Sequence, residues 1–389
     1  AERDEKISYS ASETFVCDPV NTGMPLLDLR AKPVSFFEFW PAWIFYIPVA
    51  FYWVYLSCKY RNFGLPLVVN PNIELGGMVG ESKMAILNDA GQLASSYILP
   101  FVAGELPATE TLYNRDESLN AHVENEVVRA ARAGVVFPFV VKPDLGCRGA
   151  GVCVVNSVDA LARYFKSFPP GRQYMLQKLA PFVAEAGVFY ERMPDAEAGS
   201  ITSITLKYRP YVRGDGQRTL KQLILFDSRA HHLRDLYFAK NISRLAWVPA
   251  KGEWVTLAFA GSHCCGSVFR NGNEFISDAM TSKLDAILKD FPSFHYGRLD
   301  IKFKDMGSLM RGEDFVIIEV NGASSEATHI WDSRTGIIDV FATLFRQYRT
   351  LFEMGRLMRQ RGHSVPSAIT MIAVWLRELK QSKAYPPTD

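Results

Sequence analysis

The chain has 389 residues, 48% of them hydrophobic, which is enough for about two to three domains with true cores. Its 43 Lys and Arg nearly balance 41 Asp and Glu, and the net charge of +2 comes with no long basic run, zinc motif or RRM motif, so nucleic acid is excluded as an expected partner. Cys17, Cys58, Cys147, Cys153, Cys264 and Cys265 show no CxxC spacing, and the adjacent pair is poorly placed for a disulfide, which argues for a reducing, cytoplasmic compartment.

Residues 1–33 are polar with proline and glycine and read as an arm. Phe39 to Leu56 then carries no charge and is packed with aromatic residues. It starts too far in for a signal peptide and lacks a small-residue cleavage pattern. Its length approaches the ~20 residues of a spanning helix. Pro41 and Pro48 interrupt it, however, and aromatic residues favour the headgroup zone. Lys59, Tyr60 and Arg61 follow as anchors. Two readings stand: a peripheral attachment to the inner face of a membrane, or a helical hairpin that packs on the body or forms a homodimer interface.

Leu65 to Val69 reads as a strand, Gly76 to Lys83 as a glycine turn, and Met84 to Leu87 as the start of a helix, the first unit of an α/β layer. Glu81 and Ser82 close that turn, and Glu81 is either a first-turn acid or a substrate ligand. A helix over Ala121–Ala133 precedes a strand ending in Lys142, a turn containing Gly146, Gly149 and Gly151, and a second strand, Val152–Val155. Glycines let backbone N–H groups approach phosphate and a lysine adds a point charge, although a plain hairpin has the same pattern. It is not a Walker A loop, since Gly-Lys occurs nowhere. Asp159–Phe165 and Ser277–Asp290 are further helix candidates.

The last third holds two apolar runs, His295 to Lys302 and Phe315 to Gly322, that place Asp300, Glu319 and Asn321 at strand ends. Period-two alternation puts Glu319 with Asn321, and Arg298 with Asp300, on shared faces. Hard oxygen donors of this kind suit Mg²⁺, with Mn²⁺ as an alternative ion, and a phosphorylated nucleotide. From Ile337 to Lys383 the chain is helical and basic, broken at Gly362–Pro366. Phe341–Arg361 is amphipathic and is expected to lie beside the aromatic block at a membrane surface.

In order along residues 65–335, these elements resemble the ATP-grasp ligases, most closely the D-alanine–D-alanine ligase-like and cyanophycin synthetase-like carboxylate–amine ligases. Lys142 and its glycine loop match. So do Met175 to Leu179 with Glu185, which resemble the adenine hinge and ribose carboxylate. Gly214-Asp215-Gly216 through Thr219 is similar to a GDGxxT element and Val248 to Glu253 to a VPxxGE turn. The resemblance implies an α/β (α+β) ATP-grasp fold. Its expected divisions are an arm and aromatic segment (1–60), a pre-ATP-grasp layer (61–120), an ATP-grasp domain (121–335) and C-terminal helices (336–389).

It also implies an ATP-dependent, ADP-forming ligase that joins a small or lipid-like carboxylate to an amine through an acyl phosphate. Lys142, Lys207 and Arg298 would then be catalytic. Lys142, Gly146, Gly149, Gly151, Gln177, Lys178, Leu179 and Glu185 would hold ATP, and Asp300, Glu319 and Asn321 the magnesium. Glu81, Ser82, Ser324 and His329 would meet substrate, Ser325 and Glu326 lying in the same stretch. Lys207 also reads as a surface lysine of a sheet edge, and His329 beside Trp331 as a packed histidine. The chain departs from the family in two respects: Val79 stands where a serine belongs, and no lysine lies between Lys83 and Lys142. Two other classes remain open, an ATP-grasp kinase and a non-catalytic nucleotide-binding scaffold.

Overall fold

Residues 18–28, 31–38, 40–108, 115–146, 150–259, 261 and 266–386 are described by a computed structural model. In chain order the strands are β1 (Phe101–Glu105), β2 (Phe139–Pro143), β3 (Cys153–Val155), β4 (Gln173–Lys178), β5 (Ala184–Glu191) and β6 (Ser200–Tyr208). They continue with β7 (Tyr211–Arg213), β8 (Trp254–Thr256), β9 (Val268–Asn271), β10 (Tyr296–Phe303) and β11 (Phe315–Asn321). One antiparallel sheet runs β1-β4-β2-β3, a second β11-β10-β5-β6-β9, and β7 pairs with β8 in a small lobe.

Each large sheet buries one face under helices. On the four-stranded sheet, Leu119 and Val123 of helix Arg115–Arg132 and Leu161 and Phe165 of helix Val158–Ser167 pack on Phe139, Val141 and Leu176. On the five-stranded sheet, Met280, Leu284 and Leu288 of helix Asp278–Lys289 pack on Val188, Ile204 and Leu299. Alternation along β10 then divides its residues. Leu299, Ile301 and Phe303 enter the core, while Arg298, Asp300 and Lys302 face the other way. The chain crosses between sheets at 97–101: Ile98 bridges Ile317 of β11, and β1 follows at once. Two helix-backed antiparallel sheets thus face one cleft, an α/β (α+β) arrangement.

The helices expected near 121–133, 159–165, 277–290 and beyond 337 are present, the last pair as Ile337–Gln360 and Ala368–Ser382. The expected strand over Leu65–Val69 is not. Leu65–Val68 is a single 3₁₀ turn, because Pro66 removes a ladder donor and suits a first helical turn. All four residues are buried, which erases the periodicity that separates strand from helix. Gly355 lets this turn approach helix Ile337–Gln360, since a Cβ there would meet the carbonyl of Leu65.

The aromatic block forms two short helices, Ala42–Phe45 and Ile47–Tyr60. Tyr52 stacks near Phe345 at 4.5 Å, and Trp53 meets Phe352 edge-on at 5.3 Å. Helix Ile337–Gln360 is thus held between this segment and the body, with Leu344, Leu351, Phe352 and Met358 buried. That corrects the expectation of a membrane-lying helix over Phe341–Arg361: its apolar face is already covered. No helix among the described residues is long and apolar enough to cross a membrane.

Candidate active site

Between the two sheets lies a cleft of about 700 Å³. Residues singled out in the sequence line it: Lys142, Gly146, Gln177, Lys178, Leu179 and Glu185 from the nucleotide set; Lys207, Arg298, Asp300, Glu319 and Asn321 from the reaction and metal sets; and Glu81 and Ser324 from the substrate set, with Ser325 and Glu326 beside it. Gly149, with Cys147 and Arg148, lies outside the described residues.

Strand register assembles the acidic group. Asp300 pairs directly with Glu319, and Arg298 with Asn321, so all four project from one face of β10–β11. The register then shifts, Ile301 pairing with Ile317, which leaves Ile318 as the extra residue of a bulge. Its carbonyl accepts a 3.0 Å hydrogen bond from Lys142 Nζ, which reaches across from β2 of the opposite sheet. Burial holds the Lys142 ammonium below its ordinary pKa, against the pull of Glu319.

A chain of ion pairs runs through the floor of the cleft. Lys302 lies 2.9 Å from Glu185, Lys207 lies 3.2 Å from Glu185 and 2.9 Å from Asp300, and Arg298 lies 2.9 Å from Asp300. Burial raises the Glu185 carboxyl, but Lys302 and then Lys207 outweigh it and hold it at about 2. Burial raises Asp300 too, and Arg298 and Lys207 bring it to about 2. Both are ionised at neutral pH, which satisfies the rule that buried charges come paired. Gly187 makes the room: a Cβ there would sit 3.1 to 3.4 Å from Arg298, Asp300 and Lys207. Lys207 is accordingly no edge lysine but a buried member of this chain of charges.

Glu81 accepts a 2.9 Å hydrogen bond from the Gly322 N–H. Burial pushes its carboxyl up to about 7, the Gly322 N–H and Lys83 opposing, so it exchanges its proton near neutrality. The turn before it needs its glycines, with Gly76, Gly77 and Gly80 all at positive φ.

Three expectations are corrected. Ser82 caps helix Lys83–Asn88, accepting from the Ala85 N–H, and does not line the cleft. His329 is buried in the turn Thr328–Trp331, whose two ends line the cleft while it does not, and burial lowers it to about 4, so it is a neutral packed histidine. Gly151 packs against Pro143 and Tyr385 and does not line the cleft. The two cyanophycin-like motifs serve the small lobe: Asp215 closes a turn by accepting from the Gln217 and Arg218 N–H groups, and Thr219 caps helix Leu220–Phe226.

The sequence reading also passed over residues that the cleft uses. Lys302 continues the period-two series of Arg298 and Asp300 and was legible on that ground. Lys83 was not: from a helix start it donates to the Asp144 and Gly146 carbonyls of the glycine loop and lies 3.6 Å from Glu319. Helix Ala368–Ser382 crosses to the cleft as well, where Glu378 accepts from the Gly80 N–H and Trp375 and Leu379 line the wall.

For magnesium, the donors are two carboxylates and an amide, all hard, and the Asn321 side-chain nitrogen is buried without a hydrogen-bond partner. An amide turned about its last bond would present oxygen at that orphaned position. The set fits such an ion, although no cluster of three or more His, Cys, Asp or Glu side chains occurs among the described residues.

No protein-family model and no curated protein matches the chain. Solved structures similar to it include a D-alanine–D-alanine ligase from Bacillus anthracis, at 13% identity over 72% of this chain and 69% of that one, TM-score 0.38. D-cycloserine synthetase DcsG is similar at 12% identity over 72% and 69%, TM-score 0.33. A bifunctional glutathione synthetase from Pasteurella multocida is similar at 14% identity, TM-score 0.34; the match takes in 71% of this chain but spans only 38% of that one. These scores are low, and the functional reading rests on the geometry of the cleft.

Proposed function

We propose that the chain is an ATP-dependent ligase that joins a carboxylate to an amine through an acyl phosphate, releasing ADP and phosphate. The observation that carries this reading is the convergence of Lys142, Lys207, Lys302 and Arg298 with paired Asp300 and Glu319 in one cleft between two sheets. A carboxylate is a poor electrophile until one of its oxygens is phosphorylated. In the first step that oxygen attacks the γ-phosphorus and the bond to ADP breaks. In the second an amine nitrogen attacks the carbonyl carbon, the carbon–oxygen bond to phosphate breaks, and the amine loses its proton.

Lys142 and the loop at Gly146 bind the phosphates, and Gln177 to Leu179 flank the base. Asp300, Glu319 and Asn321 would hold Mg²⁺, which supplies charge neutralisation at the transferring phosphoryl group. Arg298, fixed by Asp300, faces the carbonyl oxygen as it becomes an oxyanion. Glu81, with its raised pKa, orients a cationic or hydroxylic group of the substrate. The exposed side chains Trp43, Ile47, Phe51, Val54 and Tyr55 support peripheral contact with a membrane and, with it, a lipid-like acid.

The test is ADP release from the purified protein across a panel of carboxylic acids with hydroxylamine, which intercepts an acyl phosphate as a hydroxamate. Acid-dependent ADP and matching hydroxamate support the ligase. A stable phosphorylated product that ignores hydroxylamine would identify a kinase instead.

A further inference from the structure

A second cavity, of about 200 Å³, lies outside the cleft where the small lobe meets the five-stranded sheet. Three arginines line it: Arg209, which follows β6 directly, Arg229, past the end of helix Leu220–Phe226, and Arg270 on β9, the strand paired with β6. Between them they leave donors unused. Arg270 is 6% exposed, and its Nε–H is buried with no acceptor. Its ion partner, Asp332, stands 3.7 Å away and is held more closely by Arg334 at 2.7 Å and the Asn271 N–H at 2.8 Å. Arg229 donates from its terminal nitrogens to Glu38 and to the Pro33 and Ser267 carbonyls, and its Nε–H is likewise buried without an acceptor. Arg209 makes no ion pair and no side-chain hydrogen bond among the described residues; its guanidinium lies 4.9 Å over the Phe259 ring. Burial lowers its pKa, with the charge of Glu185 opposing.

Buried donors without acceptors are rare in a folded chain, and two of them beside an arginine with no counter-charge make a place for an anion. The rest of the wall narrows its class. Leu27, Tyr211, Leu257 and Val268 offer apolar surface to the body of a ligand. Asp227 and Asp28 also line the cavity. Asp227 accepts from the Arg229 and Ala230 N–H groups and so closes its own turn, and the charge of Asp28 acts on Arg334. Together these acids disfavour a second negative charge, whereas a guanidinium fork matches a planar carboxylate. We propose that Arg209 and Arg270, with the Nε–H of Arg229, form a binding site for a small organic monocarboxylate, separate from the cleft. It needs no nucleotide and stands apart from the ligase reading. Phe259, the ring under Arg209, is also on the cleft wall, so the two cavities are neighbours.

The alternative is that the three arginines only fasten the small lobe to the sheet. Two substitutions separate the cases. Arg209→Met removes a guanidinium that has no acid partner, so no carboxylate is orphaned; Arg270→Met leaves Asp332 to Arg334. Neither arginine lines the cleft. Full-length protein is titrated calorimetrically with sodium butyrate, sodium phosphate and sodium chloride at equal ionic strength and neutral pH, and thermal unfolding is recorded for each variant. Saturable butyrate binding is expected in the wild type, weakened about tenfold or more in both variants. Arg209→Met is expected to keep the wild-type melting temperature, and phosphate to bind more weakly than butyrate.

A wild type that does not bind butyrate saturably, or responds equally to chloride, overturns the site. So does wild-type butyrate affinity in Arg209→Met, which would place the bound acid in the cleft. Saturable phosphate binding without butyrate overturns the carboxylate class. Should Arg270→Met fail to fold, Arg209→Met decides alone: a lowered melting temperature with butyrate affinity intact leaves the arginines as fasteners only.

Discussion

In the proposed reaction, Lys142 is the residue on which nucleotide binding would turn. Lys142→Ala is expected to weaken ATP binding and to lower turnover by roughly 3–4 kcal/mol, the scale of a deleted donor to developing charge. Steady-state ADP release checks it, and an unchanged rate would make the glycine turn a plain hairpin. Glu81 gives a pH prediction. Its carboxyl titrates at about 7 in the folded chain against an ordinary 4.5, so the folded state keeps a proton that the unfolded state loses. Stability therefore falls as pH rises through that window. Glu81→Gln should flatten the slope and gain about 1–3 kcal/mol over wild type at alkaline pH, read from urea melts at a series of pH values. Asp300 and Glu185 act in the opposite sense: held at about 2, their contribution is complete above the ordinary carboxyl pKa and is lost as pH falls toward 2. Lys142, Lys207, Asp300 and Glu319 were legible as single residues because each stood on an apolar run of strand type. Their partners were not, since the Lys207–Glu185 and Lys83–Glu319 pairs join positions distant in sequence.

Among the elements, β10 was the most legible, because apolar and charged residues alternate strictly along it and both faces have a use. The bulge at Ile318 was hidden, since nothing in an apolar run marks which residue of a register is surplus. The ion chain on β10 depends on the bare position opposite it on β5. Gly187→Val should crowd Arg298, Asp300 and Lys207, cost about 1–3 kcal/mol of stability and depress ADP formation more than tenfold. Thermal unfolding and turnover measured together check this. Helix Ile47–Tyr60 has two apolar faces: Val49 and Leu56 are buried on the body, while Phe51 is 74% exposed and Val54 54% exposed. That doubled character is why its aromatic composition pointed both to packing and to a membrane. Flotation with anionic liposomes discriminates. Wild type should rise with the vesicles and a Phe51→Ser, Val54→Ser variant should remain below, with ADP formation from a water-soluble acid unchanged.

At the scale of the whole molecule, the two sheets were legible as an order of motifs, whereas the path of helix Ala368–Ser382 was not. Its sequence is merely amphipathic; only the fold brings Glu378 to the Gly80 turn and Tyr385 against the glycine loop. A ligand that spans both sheets stabilises the folded chain by mass action. A non-hydrolysable ATP analogue with magnesium at about a hundred times its dissociation constant should add about 2.7 kcal/mol. The accompanying rise in melting temperature should vanish in Lys142→Ala.

The hydrogen bond from Lys142 to the Ile318 carbonyl also sets a sequence of events. This lysine fastens one sheet to the other across the cleft where the proposed reading puts phosphate. A charged hydrogen bond of this kind is worth about 1.5–3 kcal/mol, so an incoming triphosphate competes with a clasp that adenosine alone leaves shut. On the proposed reading, phosphate would be the key that releases Lys142 from Ile318. Nucleosides would dock at the rim and leave that hydrogen bond in place, so the side-chain NMR signal of Lys142 would shift with nucleoside triphosphate and not with adenosine.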